Sequence, residues 1–211
     1  MKTILITGGT GGLGTAVVKR LKRDYRCVVL YHGRKPDDVE GVQADVSNED
    51  EVDRAVSSIG ELYAVVHLVG GFAMGNDAAT WSKMIALNLT SAVNVIRAAS
   101  PKIVNGGRIV AISSIASIDL PVGMPAYVAT KGALNTVVEV FSRELKPRAI
   151  TVNALLPGTL ATPANQSGAM GAPSASLRAG ALQIDVVASV IAFLLSDEAA
   201  NISGALLPMR P

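Results

Sequence analysis

One cysteine, two histidines and an aromatic content of only 4% are present in 211 residues. The lone Cys27 rules out an intrachain disulfide and points to a reducing compartment. Its setting, Arg26-Cys-Val-Val-Leu30, is strand-like, so a buried, inert thiol is expected. No metal site is expected, because His32 and His67 stand far apart and no cysteine or carboxylate cluster has ligand spacing. His67 lies in a strand-like run and reads as structural. Charge of neither sign dominates: 19 Lys and Arg face 17 Asp and Glu, a net charge of +2. That balance exerts no global pull on nucleic acid or an anionic membrane. No apolar run reaches the length of a membrane span. The opening Met1–Ile6 run stops at Thr7 and Gly8, too short for the core of a secretion signal. The expectation is a cytoplasmic protein that binds neither nucleic acid nor membrane.

With so few aromatics, the 49% apolar content must build its core from Val, Ile, Leu and Ala. Short apolar runs, expected as strands, cover Thr3–Thr7, Arg26–Tyr31, Gly41–Ala44, Ala64–Val69, Gly107–Ser113, Ile150–Leu156 and Ala205–Pro208. Their near-continuous apolar character suits parallel strands covered on both faces. Helical periods fall between them at Leu13–Arg23, Asn48–Ile59, Thr80–Ala99, Ala126–Leu145 and Asp185–Leu195. In Thr80–Ala99 the apolar face reads Trp81, Ile85, Leu89, Ala92 and Ile96; the last helix is apolar nearly all round, which predicts deep packing. Alternation over residues 1–211 predicts one α/β domain, doubly wound, with about seven parallel strands and helices on both faces. Pro163–Gly180, rich in Ala, Ser, Gly and Pro, reads as a surface loop. The basic cluster Lys19, Arg20, Lys22 and Arg23 reads as a solvated helix end offsetting the helix dipole; without interleaved aromatics it makes a poor nucleic-acid patch.

Between the first strand and first helix lies Thr7-Gly-Gly-Thr-Gly-Gly-Leu-Gly14. There a Rossmann-type sheet binds a dinucleotide: glycines admit the backbone to a pyrophosphate, and free amides at the helix N-terminus face its oxygens. Gly8, Thr10, Gly11, Gly12, Leu13 and Gly14 are therefore candidate cofactor contacts, and the Gly-Lys-Ser/Thr ending of a nucleotide triphosphatase loop is missing. The spacing Thr-Gly-x-x-x-Gly-x-Gly resembles the short-chain dehydrogenase/reductase family. After the second strand, Leu30-Tyr-His-Gly-Arg-Lys35 has no acid before Asp37, whereas His32, Arg34 and Lys35 could attract a 2′-phosphate. NADP is thus expected over NAD, with an unselective solvated turn as the competing reading.

Tyr127-Val-Ala-Thr-Lys131 places a phenol and an ammonium on one helical face. Ser114 follows the fifth strand and Asn88 lies in the helix after the fourth. Together they resemble the family's active tetrad, the alternative being a buried network of satisfied polar groups. The resemblance implies hydride transfer between a nicotinamide and a carbonyl or alcohol. Tyr127 would be the general acid or base, its pKa lowered by Lys131. Ser114 would polarise the substrate oxygen, Lys131 would also bind the nicotinamide ribose, and Asn88 would hold a relay water. It further implies cofactor contacts from Asp45, Val46, Val69, Gly70, Gly71, Pro157, Gly158, Leu160 and Thr162. Asp45 also reads simply as a turn cap, and Leu68-Val-Gly-Gly71 departs from the family's usual Asn-Asn-Ala-Gly.

Residues 163–182 are expected to cover a small-molecule carbonyl or alcohol, with Phe72, Met74, Ile115, Met170 and Leu177 as apolar walls and Arg178 the lid's charge. Val69-Gly-Gly-Phe72 and Leu160-Ala-Thr-Pro163 are similar to dihydropteridine reductases, so quinonoid pterin reduction is the alternative activity. A catalytically silent dinucleotide sensor is the alternative from another class. A Ser-His-Asp hydrolase is excluded by the missing Gly-x-Ser-x-Gly elbow. The resemblance also implies a homodimer or homotetramer formed through the two long helices.

Overall fold

A computed structural model describes residues 1–167 and 180–211. Seven strands, all paired in parallel, form one sheet in the order β3-β2-β1-β4-β5-β6-β7. They are β1 (Thr3–Thr7), β2 (Arg26–Tyr31), β3 (Glu40–Gln43), β4 (Leu62–His67), β5 (Ile103–Ile112), β6 (Thr151–Pro157) and β7 (Leu206–Met209). Successive side chains point to opposite faces of a strand. Accordingly Leu5, Val28 and Leu30 join one core with α2 (Glu49–Ile59), α4 (Ser91–Ala99) and α6 (Pro125–Glu144). Ile4, Ile6, Cys27 and Val29 join the other with α1 (Gly12–Leu21) and α8 (Ile184–Leu194). The expected doubly wound fold is therefore present, and Cys27 is a buried thiol raised to about 11 by burial. No helix among the described residues is long and apolar enough to cross a membrane.

The connection order reverses between β1 and β4, which opens a crevice at the strands' carboxyl ends. Two elements meeting there differ from the sequence reading. The expected helix Thr80–Ala99 is α3 (Ala78–Ile85), a wide π turn (Ala86–Thr90) and α4. Because Ser91 N–H reaches back five residues to the Ala86 carbonyl, positions four apart stay in line. Met84, Asn88 and Ala92 consequently face the core, and the expected core residue Ile85 is exposed. Pro163–Gly180 begins not as loop but as a short helix, α7 (Pro163–Gln166), capped by Thr162. The remaining short helix, α5 (Ala116–Asp119), follows β5. Helix α8 is also less enclosed than expected. Val187, Ala188, Ile191 and Leu194 are buried, but Val186 and Phe193 face outward, since the sheet covers only one side of the helix.

Candidate active site

The glycine turn is built by close backbone approach. Gly8 takes φ +70°, which L side chains rarely adopt, and Gly11 N–H donates to its carbonyl at 3.0 Å. A Cβ on Gly14 would stand 2.0 Å from that same carbonyl oxygen, so no larger residue fits. Helix α1 then opens from Gly11 with no side-chain cap and no acid in its first turn. Helix α2, by contrast, carries an Asn48 cap and Glu49, Asp50 and Glu51. The first-turn amides of α1 are thus left for an anion from outside the helix, which fits a dinucleotide pyrophosphate. Thr162 reaches the turn from β6's loop: its Cβ lies 2.9 Å from where a Gly12 Cβ would be.

After β3, Asp45 acts as the turn cap, accepting from Ser47 N–H at 2.9 Å and Ser47 Oγ at 2.7 Å. These bonds hold its carboxyl below the usual range. Val46 is a core residue. A cavity of about 450 Å³ lies between α1 and the loop after β2, lined by Thr10, Lys19, Lys22 and Arg34 among others. His32 is exposed and not among its lining residues. The loop's acids enter the same cavity: Arg34 pairs with Asp37 at 2.8 Å and Lys22 with Asp38 at 3.1 Å.

Beyond the ends of β4 and β5 the four tetrad candidates converge. Lys131 is buried and donates from Nζ to the Ile112 carbonyl at 2.9 Å, and burial lowers its pKa to about 8. Asn88 Oδ1 accepts from Gly71 N–H at 2.8 Å, while Nδ2 donates to the Gly71 carbonyl at 3.1 Å and to Thr130 Oγ1 at 3.2 Å. Asn88 Oδ1 and Lys131 Nζ both press on Gly70: each lies 3.0 Å from the position of a Cβ there. The glycine pair thus accommodates this amide and ammonium as well as any ligand. Ser114 is buried and accepts from Ala116 N–H at 3.2 Å, which starts the turn displaying it. Its hydroxyl lies beside Tyr127, whose ring meets Phe72 edge to face at 5.2 Å.

Burial raises the Tyr127 phenol above its ordinary value, and only the Ser114 hydroxyl opposes that shift. The Lys131 ammonium is turned to the Ile112 carbonyl and is itself desolvated.

A second buried polar chain lies below the tetrad. Ser91 Oγ donates to the Leu87 carbonyl at 2.7 Å, so it accepts from His67 Nε2–H at 3.3 Å. His67 Nδ1 then accepts from Thr7 Oγ1 at 2.9 Å. This neutral histidine ties the start of the glycine turn to the π turn that presents Asn88; burial, then Lys131, lower its pKa to about 3. The sequence gives a sign of this only as a histidine inside an apolar strand. Similarly, Ser113 Oγ donates to the Lys131 carbonyl at 3.1 Å and fixes α6 on β5. Val69 and Leu160 pack against opposite cores, and Gly158 N–H, after Pro157, donates to the Met209 carbonyl at 2.9 Å. Ile115 N–H donates to the Pro157 carbonyl at 3.1 Å, which brings that strand end beside the Ser114 turn. Met170, Leu177 and Arg178 lie outside the described residues.

This geometry has known counterparts. The chain is 31% identical over 230 residues to the 3-oxoacyl-[acyl-carrier-protein] reductase MabA of Mycobacterium bovis, covering 99% of this chain and 91% of that protein. It is 31% identical over 222 residues to the cyclic-di-GMP-binding biofilm dispersal mediator protein of Escherichia coli, covering 97% and 94%. The crystal structure of BdcA in complex with NADPH superposes with a TM-score of 0.89 at 29% identity, covering 99% of this chain and 92% of that one. The family model described as short chain dehydrogenase matches residues 2–170, and this chain belongs to that family of oxidoreductases.

Proposed function

We propose that this chain is an NADP(H)-dependent oxidoreductase acting on a small carbonyl or alcohol, with Ser114, Tyr127, Lys131 and Asn88 as its working residues. The observation that carries the proposal is their convergence at the topological switch point, beside the uncapped start of α1. A bound reduced nicotinamide supplies the hydride to the carbonyl carbon. Ser114 Oγ donates to the substrate oxygen where negative charge grows. Tyr127 gives its proton to that oxygen, and its raised pKa keeps the proton in place at neutral pH, which suits reduction. Lys131 Nζ, anchored on the Ile112 carbonyl, holds the nicotinamide ribose. Asn88 fixes Gly71 and supports the relay water. Arg34 and Thr10 flank the place of a 2′-phosphate, and the NADPH bound by BdcA favours the same cofactor.

Tyr127→Phe tests the mechanism. Turnover is expected to fall by at least about a hundredfold, within the range for loss of a general acid, with NADPH affinity nearly unchanged. Retained turnover overturns the assignment. The likeness to the cyclic-di-GMP-binding protein of E. coli favours one second reading, a nucleotide-responsive protein without turnover. A panel of ketones, aldehydes and quinonoid pterin, followed by NADPH absorbance, separates the two. We also propose self-association through α3–α4 and α6, where Ile85 and Val140 face outward.

A further inference from the structure

Nine large hydrophobic side chains are exposed among the described residues, and four of them sit in two neighbouring connections, Ile118 (49%) on α5 and Met74 (62%), Leu120 (63%) and Val122 (94%) on loops. The loops, one after β4 and one leading into α6, are joined by Gly75 N–H donating to the Gly123 carbonyl at 3.0 Å. Met74 Cε lies 3.5 Å from where a Gly123 Cβ would stand, so Met74 packs against the loop that carries Leu120 and Val122. Phe72 connects that surface to the site through its 5.2 Å contact with Tyr127, and Ser114 lies at the start of the second loop.

Leu120 is the informative residue. It takes φ 51°, ψ 50°, a left-handed conformation that favours glycine or asparagine. Its side chain is largely in solvent, so neither backbone preference nor burial within the chain accounts for a leucine here. Strain kept at a position beside a site points to use of the side chain. The charge pattern agrees. Neither loop contains a lysine or arginine. Of their two acids, Asp77 caps Thr80 at 2.9 Å, and Asp119 is held by both Arg210 nitrogens at 2.8 and 2.9 Å.

Resting on the oxidoreductase reading of the site, we infer that Phe72, Met74, Ile118, Leu120 and Val122 form an apolar collar that receives the uncharged hydrocarbon part of the substrate. The substrate class is then a neutral ketone or aldehyde with an extended alkyl or aryl group. Hydride goes to its carbonyl carbon, the Tyr127 proton to its oxygen, and an alcohol and NADP⁺ leave.

The test compares the unaltered chain with Leu120→Asn/Val122→Ser. Asparagine suits the left-handed backbone and Val122 is almost fully exposed, so the fold is kept. NADPH-linked reduction is measured for neutral methyl ketones of rising length and for 2-oxo acids of the same lengths. Nile red fluorescence, read with NADP⁺ bound, reports the apolar surface without turnover. In the unaltered chain kcat/KM should rise about fourfold per methylene, the scale of burying one CH₂, with the acids at least about tenfold poorer. In the variant the slope should flatten, the shortest ketone should react as before, and the dye signal should drop severalfold. A flat series in the unaltered chain, or a slope and dye signal unmoved by the substitutions, overturns the inference. A changed molecular mass in solution with slope and dye unmoved also overturns it, and assigns the collar to contacts between copies. If no carbonyl compound is reduced, the oxidoreductase reading fails and the substrate class with it. The dye then decides separately whether the collar binds apolar ligands.

Discussion

Burial sets the chemistry of single side chains in this crevice, and two titrations follow from it. Lys131 loses its proton at about 8. If its ammonium holds the ribose, NADPH-linked reduction should be level near pH 7 and decline as pH rises through 8. Activity unchanged up to pH 9.5 would contradict that role. His67 titrates at about 3 in the folded chain against an ordinary 6.5. Between those values the unfolded chain binds a proton that the folded chain refuses, so stability rises with pH there and is lost on acidification below 6.5. The slope is at most about 1.4 kcal/mol per pH unit. Urea unfolding at pH 7 and pH 5 measures it, and His67→Gln should flatten the difference.

At the scale of elements, the glycine turn and α1 act as one unit. Gly14→Ala places a methyl carbon 2.0 Å from the Gly8 carbonyl oxygen, a backbone clash that no rotamer relieves. A loss of about 1–3 kcal/mol, the range for overpacking, is expected, together with loss of dinucleotide binding. Calorimetry and a fluorescence titration check both. This turn is legible in the sequence because its determinants are local: a strand, spaced glycines and a helix. The apolar runs of β1, β2 and β4 are legible for the same reason, and Tyr127 and Lys131 follow from helical spacing. The π turn is different. It depends on Asn88 bonding Gly71 and on Ser91 bonding His67, pairings 17 and 24 residues apart, so a local period instead predicts a regular helix with Ile85 inward. Where the Lys131 ammonium points is likewise not legible from helical spacing, since it is fixed by the Ile112 carbonyl on another element.

On the scale of the whole molecule, two cores clamp the sheet and leave the crevice as the place where backbone groups await an outside partner. Ligand binding should therefore register in global stability. NADPH at 100 times its Kd should add about 2.7 kcal/mol, several degrees in Tm. NADH at equal concentration should add less, and equal shifts in a thermal melt would count against the 2′-phosphate assignment. The bare beginning of α1 carries this beyond affinity. A helix whose amides have no internal acceptor is a fold left slightly unfinished, and a dinucleotide completes it. The persistence of this polypeptide against proteases should thus follow the supply of its nucleotide, so that starving a cell of the coenzyme would deplete the protein as well as idle it.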